Sequence, residues 1–305
     1  MSQTASQPII IIGMHRSGTS LLARILRESG VHIGADCDAQ HSESELMRSL
    51  NESVLDSVGA SWYQPLAAET LIDQEVQEVV VNRMQSLCRS EGYRFTGNRQ
   101  IALFGQSQTW GWKDPRTVLT LPIWLSVFPG ARVIEIVRNG VDVAGSLVER
   151  ERKRIRRNRT QWIAAQRAQG ISRRMWQTLR RAVGQRRRQP AWKRQCPDLE
   201  TAFSIWVSYM EIGTHAIKTS GLKHHLRVRF EDLLEDPRAN LLRIREFTGE
   251  TSCRADIEQL TRSLHRDRRL AFVRSSRLQR FYQEVSDHPQ MIKHGYADLI
   301  ETAGR

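Results

Sequence analysis

Cysteine is scarce in these 305 residues: Cys37, Cys88, Cys196 and Cys253 stand far apart, with no Cys-x-x-Cys pair among them. That spacing gives neither a zinc knuckle nor a disulfide frame, so the thiols are read as buried and free. Long apolar runs are absent too. None approaches the roughly 20 residues that a membrane-spanning helix requires. The first eight residues hold neither a basic cluster nor an apolar stretch, which argues against a secretory leader and for a cytoplasmic location. Acids are missing from one segment above all. Residues 150–194 carry 17 lysines and arginines against Glu151 alone, and because the whole chain is +13, the remainder is slightly acidic. The basic character therefore belongs to that segment and not to the chain at large.

The arginine-rich segment also holds Trp162, Met175, Trp176 and Trp192. It reads in three ways. It is a surface that draws in an anionic acceptor, such as an acidic glycan or a lipid head group on a membrane face. It is a solvated insertion whose charge serves solubility alone. Least favoured, it is a nucleic-acid surface of arginines with interleaved aromatics.

What is present begins at residue 8. Four consecutive isoleucines, Ile9 to Ile12, have the pattern of a central parallel strand covered on both faces. Gly13 then opens a G-x-x-x-x-G loop that closes at Gly18, but Thr19 stands where an ATP-binding loop places its lysine. The glycines free the backbone, and the amides around Ser17, Gly18, Thr19 and Ser20 open a helix whose positive end attracts an anion. The cation has moved forward to Arg16. This is a site for a nucleotide with a short reactive anhydride rather than for ATP with magnesium.

A second apolar strand, 132–137, follows a Pro129-Gly130 turn and leads into Arg138-Asn139-Gly140 and a helix over 141–149. Arg138 lies just past the strand's carboxyl end, where open α/β sheets bind ligands. Ser146 is eight residues on, so an arginine and a hydroxyl can close on one phosphate. At these residues the chain resembles the sulfotransferases that use 3′-phosphoadenosine 5′-phosphosulfate (PAPS). Their 5′-phosphosulfate loop is similar to Arg16-Ser17-Gly18-Thr19-Ser20, and their 3′-phosphate site pairs an arginine and a serine at the spacing of Arg138 and Ser146.

Two further stretches extend the resemblance. Trp110-Gly111-Trp112-Lys113-Asp114-Pro115-Arg116 is similar to the Lys-Asp-Pro segment of tyrosylprotein sulfotransferases and of related bacterial proteins, and residues 226–237 to the family's late Arg-Tyr-Glu-Asp-Leu segment. Together the matches cover roughly half the chain. The chain departs from the cytosolic aryl and steroid enzymes, which carry lysine at the position of Arg16, a Lys-Thr-His segment near Lys113 and a late Arg-Lys-Gly. Gly140 stands where a proline is common.

The alternating strands and helices imply a parallel sheet with helices on both faces, and the resemblance implies a P-loop NTPase-like three-layer α/β fold with a central parallel sheet flanked by helices. It implies one domain over residues 1–305, with a basic helical insertion at about 150–195. The activity implied is transfer of the sulfonate of PAPS, with PAP as product and no metal, to an acceptor hydroxyl of a carbohydrate or other polar metabolite. Arg16 is placed on the sulfonate. Lys113 is the second cation, its strand turning Trp110 and Trp112 to the core and Lys113 to the ligand crevice. Glu43, eight residues before Asn51-Glu52, is the first choice of general base and His41 the second. Arg274, Ser275 and Arg277 are further candidates for the 3′-phosphate. A P-loop kinase or NTPase and a non-catalytic basic binding protein are the competing readings. Oligomeric state and acceptor identity are not legible.

Overall fold

The computed structural model describes residues 7–33, 43–90, 93–96, 99–102, 109–168, 195–249 and 257–299. In chain order the strands are β1 (Ile9–Ile12), β2 (His32–Ile33), β3 (Tyr93–Thr96), β4 (Arg99–Ala102), β5 (Trp110–Lys113), β6 (Arg132–Val137) and β7 (His225–Arg229). The described α-helices are α1 (Thr19–Glu28), α2 (Glu45–Ser57), α3 (Gln74–Ser90), α4 (Thr117–Val127), α5 (Gly140–Ala168), α6 (Leu199–Thr219), α7 (Phe230–Glu235), α8 (Pro237–Thr248), α9 (Ile257–Arg262), α10 (Ser276–Val285) and α11 (Pro289–Lys293). Five strands form one parallel sheet in the order β2-β5-β1-β6-β7, while β3 and β4 pair antiparallel as a separate hairpin.

The isoleucine run occupies the middle of this sheet because it can be covered on both sides. Ile10 and Ile12 enter one core with Trp112, Val133, α4, α5 and α6, and Ile9 and Ile11 enter the other with α1, α7 and α8. All four side chains are fully buried. The result is a three-layer α/β fold with a central parallel sheet, as the sequence pattern implies. Trp110 and Trp112 face the first core, where Trp112 meets Trp124 edge-on at 5.3 Å between ring centroids and Trp110 meets Phe128 at 5.8 Å. Each such pair adds about 0.5–1.5 kcal/mol to the area it buries. α4 is apolar nearly all round and accordingly buried along its length.

Gly140 does more than loosen a turn. A Cβ there would lie 2.8 Å from the rings of Phe203 and Trp206, so its absence lets α6 pack against the start of α5. The helix expected over 141–149 continues as α5 to Ala168, and i,i+4 and i,i+3 pairs of Lys153 with Glu149 and Arg154 with Glu151 support the extension. The rest of the basic segment, with Met175, Trp176 and Trp192, lies outside the described residues. Cys196 is buried and free, and burial pushes its thiol up to about 11.

Candidate active site

The loop between β1 and α1 is built by conformations that only some residues accept. Gly13 has φ +148 and Gly18 φ +104; a Cβ on the first would meet the Ile136 carbonyl oxygen at 2.4 Å, and on the second the Phe230 ring at 2.5 Å. Arg16 is left-handed as well, at φ 70, a conformation that costs an L-residue roughly 1–2 kcal/mol. The loop is held from within, since the Met14 carbonyl accepts both the Ser17 amide (3.1 Å) and the Ser17 hydroxyl (2.6 Å). Ser17 therefore braces the loop with its amide and hydroxyl protons. No side-chain cap hydrogen bond is made at the start of α1 and its first turn holds no acid, so its positive end faces the space in front of the loop.

Arg16 donates from Nε to Ser146 Oγ across 2.8 Å and has no carboxylate partner among the described residues. Solvent still reaches it, but partial burial and then the charges of Arg138 and Arg268 lower its pKa from the ordinary arginine value. Arg138 stacks on Phe230, 4.3 Å from the ring centroid. It donates to the Arg16 carbonyl (3.3 Å), the Arg268 carbonyl (3.0 Å) and Asp142 (3.2 Å), which leaves its buried Nε without a partner. Asp142 also accepts the amides of Ala271 (3.1 Å) and Phe272 (2.7 Å), tying the C-terminal region to the start of α5. Burial raises the Asp142 carboxyl, against the pull of Arg138.

These groups surround a cavity of about 290 Å³ lined by Arg16, Thr19, Arg24, Arg138, Phe230 and Arg268 among others, with no carboxylate in its wall among the described residues. The sequence reading thus meets its loop, Arg16, Arg138 and Ser146 in one place, but Ser146 engages Arg16 rather than Arg138. Arg274, Ser275 and Arg277 do not line this cavity: Arg274 lies 3.9 Å from Asp267, and Ser275 caps α10. Arg268 and Arg24 take their place. Arg268 belongs to the basic stretch 266–280 that the sequence reveals. Arg24 is marked only by its position one helical turn into α1.

The second cluster sits at the carboxyl end of β5, next to β1 in the sheet. Lys113 is almost wholly buried, 1% exposed, and its Nζ lies 2.9 Å from Glu43 Oε1. It is an interior ion-paired lysine and does not project into an open crevice. Arg116, to which the sequence reading gave no role, reaches Glu43 (3.9 Å), Glu52 (3.0 Å) and Asp114 (2.8 Å). Burial opposes its charge, but Asp114 and Glu52 outweigh it and raise its pKa. Asp114 holds Arg116 and Asn51, not Lys113. Asn51 is fully buried and spends all its capacity, donating to Asp114 and Thr117 and accepting from Thr120 and Trp124. His41 lies outside the described residues. Among those described, no group of three or more His, Cys, Asp or Glu is placed to hold a metal ion, and no helix is long and apolar enough to cross a membrane. A larger cavity, about 590 Å³, lies against α6 and α11 between Glu69, Glu211, His215, Lys218 and Lys293; it shares no residue with the loop and mixes both signs of charge.

Several solved structures are similar to this chain. The sulfotransferase domain from the curacin biosynthetic pathway has 14% identity and TM-score 0.46, covering 92% of this chain and 98% of its own. Sulfotransferase STF9 from Mycobacterium avium has 16% identity and TM-score 0.43, covering 93% and 76%. The sulfotransferase domain of the Synechococcus PCC 7002 olefin synthase has 18% identity and TM-score 0.40, covering 88% and 84%. No curated protein matches the sequence. The family model described as the sulfotransferase family matches residues 8–190, which takes in the loop, the β5 cluster, Arg138 and Ser146. The chain belongs to the sulfotransferase family.

Proposed function

We propose that the protein moves the sulfonate of PAPS to the hydroxyl of a carbohydrate or other polar acceptor by in-line displacement. The observation that carries this reading is the cavity in front of the loop: among the described residues it has four arginines in its wall and no carboxylate, and it opens at the start of α1. A site of that charge suits a nucleotide with anionic groups at both ends. Bound PAPS supplies a sulfonate already joined to a good leaving group, so the acceptor oxygen forms one S–O bond as the other breaks.

The chain's own groups divide the remaining work. The first turn of α1 and Arg16 hold the 5′ end, and Arg16 offsets charge that grows on the leaving side. Arg138, with Arg268 behind it, holds the 3′-phosphate; Ser146 keeps Arg16 in place. Lys113, enclosed and ion-paired, acts behind Glu43 and holds its carboxylate at the reacting end. Glu43 Oε1 is engaged by Lys113, and Oε2, 3.9 Å from Arg116, is the oxygen left to take the acceptor's proton. His41, two residues earlier in the chain, is the alternative base.

Thermal stabilisation separates this reading from a P-loop NTPase. PAP without Mg²⁺ raises the melting temperature, by about 2.7 kcal/mol of added stability at a hundredfold excess over its Kd, and ATP-Mg does little. Stabilisation by ATP-Mg and not by PAP contradicts the proposal. A screen of acceptor classes with radiolabelled PAPS then identifies the acceptor.

A further inference from the structure

Three residues of α5 stand one above another at i,i+4 spacing on the side that fronts the loop. Asp142 holds Arg138, Ser146 holds Arg16, and Arg150 lies over the ring of Trp62, 4.6 Å from its centroid. Further along the helix Lys153 pairs with Glu149 and Arg154 with Glu151, while Arg152 is exposed to solvent. Arg150 has no ion pair among the described residues. A ring face stabilises a cation by about 1 kcal/mol but does not neutralise it. Its guanidinium is held below the ordinary arginine pKa, first by burial and then by Arg16.

Trp62 also touches His15, edge to face at 4.9 Å. His15 immediately precedes Arg16 in the loop, is 8% exposed, and has a buried Nε2 with no hydrogen-bond partner. Burial, and then Arg150, Arg116, Lys113 and Arg16, hold its imidazole neutral. The cations divide into two kinds. Lys113 and Arg116 are balanced by Glu43, Glu52 and Asp114, whereas Arg16 and Arg150 have no ion pair among the described residues, and Glu151, paired with Arg154, offsets the charge of Arg150 only in part. In the proposed function Arg16 is balanced by the donor. Arg150 is then left as a half-buried positive charge without an ion pair, sharing Trp62 with His15, whose Nε2 lacks a partner among the described residues.

We infer that Arg150, Trp62 and His15 form an acceptor subsite that takes a carboxylate or other oxyanion on the acceptor, while the acceptor's hydroxyl lies at the sulfonate loop. The inference rests on the proposed function, because it assigns that reaction an acidic acceptor. The partial burial of Arg150 and His15 favours a small soluble acid over a head group held at a bilayer. It also gives one member of the arginine-rich segment a specific task and leaves the outward-facing arginines to solvent.

Isothermal titration of PAP-saturated protein tests this with glucuronate, glucose, glucosamine and phosphatidylglycerol vesicles. Glucuronate binds at least about tenfold more tightly than glucose, as one charge-assisted contact implies, and glucosamine binds most weakly. Arg150→Gln brings glucuronate down to the level of glucose with PAP affinity unchanged, and Arg150→Lys restores part of the preference. Equal binding of the three sugars, no glucuronate binding, or a preference that survives Arg150→Gln overturns the inference. Binding to the vesicles alone overturns the assignment to a soluble acid. If PAP itself fails to bind, the proposed function falls, and the same titrations without PAP still decide the subsite.

Discussion

Arg16 and Ser146, 130 residues apart in sequence, are joined by a hydrogen bond of 2.8 Å from Nε to Oγ. The bond couples the loop after β1 to the second turn of α5. A left-handed arginine on a glycine-framed loop has few local contacts to direct its side chain, and Ser146 supplies that direction. Arg16→Ala lowers turnover by about 10²–10³-fold, the usual loss when a preorganised donor to developing charge is removed. Ser146→Ala costs less, about 0.5–1.5 kcal/mol of transition-state stabilisation, and adds little once Arg16 is gone. Single-turnover kinetics of the two variants and the double variant measure this; additive losses contradict the coupling.

Lys113 and Glu43 form a pair from which most water is excluded. Removing one partner leaves the other charged and buried. Lys113→Met therefore lowers unfolding stability by about 3 kcal/mol, and adding Glu43→Gln recovers part of it. Urea unfolding of the single and double variants is the check. An unchanged midpoint in Lys113→Met means that the lysine is not held as described.

Asp142 fastens the C-terminal region to the cavity through the amides of Ala271 and Phe272 and through Arg138. Asp142→Ala leaves those donors unpaired and unties the segment carrying Arg268. Amide exchange over residues 268–272 accelerates, and PAP affinity falls about tenfold, the equivalent of one charge-assisted bond. Unaltered exchange there contradicts the fastening role.

His294 is buried beside Trp206, its Nε2 without a partner. Burial first, then Arg227, depresses its pKa to about 4 from an ordinary 6.5, with Glu135 pulling the other way. Between those values the unfolded chain binds a proton that the folded chain refuses, so stability is complete above about pH 6.5 and falls toward pH 4. The melting temperature declines over that window, and His294→Phe flattens part of the slope. A slope unaffected by the substitution contradicts the shift.

Much of the fold is legible because its signals are local. The isoleucine run, the glycines at 13 and 18, and the apolar spacing of α6 each encode their element within a few residues. The separate hairpin of β3 and β4 went unread, although Gly97-Asn98 between two short β-prone stretches is a usable signal. The site was legible in its loop and in Arg138, which adjoin strand ends. Arg116, Arg150, Trp62 and His15 were not, because their roles depend on which acids fold against them. Arg150 looks like any member of its arginine run until Glu149 and Glu151 are seen to serve its neighbours. The spacing and the resemblance set Ser146 with Arg138 on one phosphate. Side-chain reach across the loop decides instead for Arg16.

Calorimetric titration of PAP and of adenosine 5′-phosphosulfate, in Mg²⁺-free buffer, into the wild type and Arg138→Ala, tests the two-ended grip on the nucleotide. PAP binds the wild type with one-to-one stoichiometry and loses at least about tenfold in affinity in the variant, whereas adenosine 5′-phosphosulfate, lacking the 3′-phosphate, changes little. Equal losses for both nucleotides, or no binding of PAP to the wild type, contradicts the account.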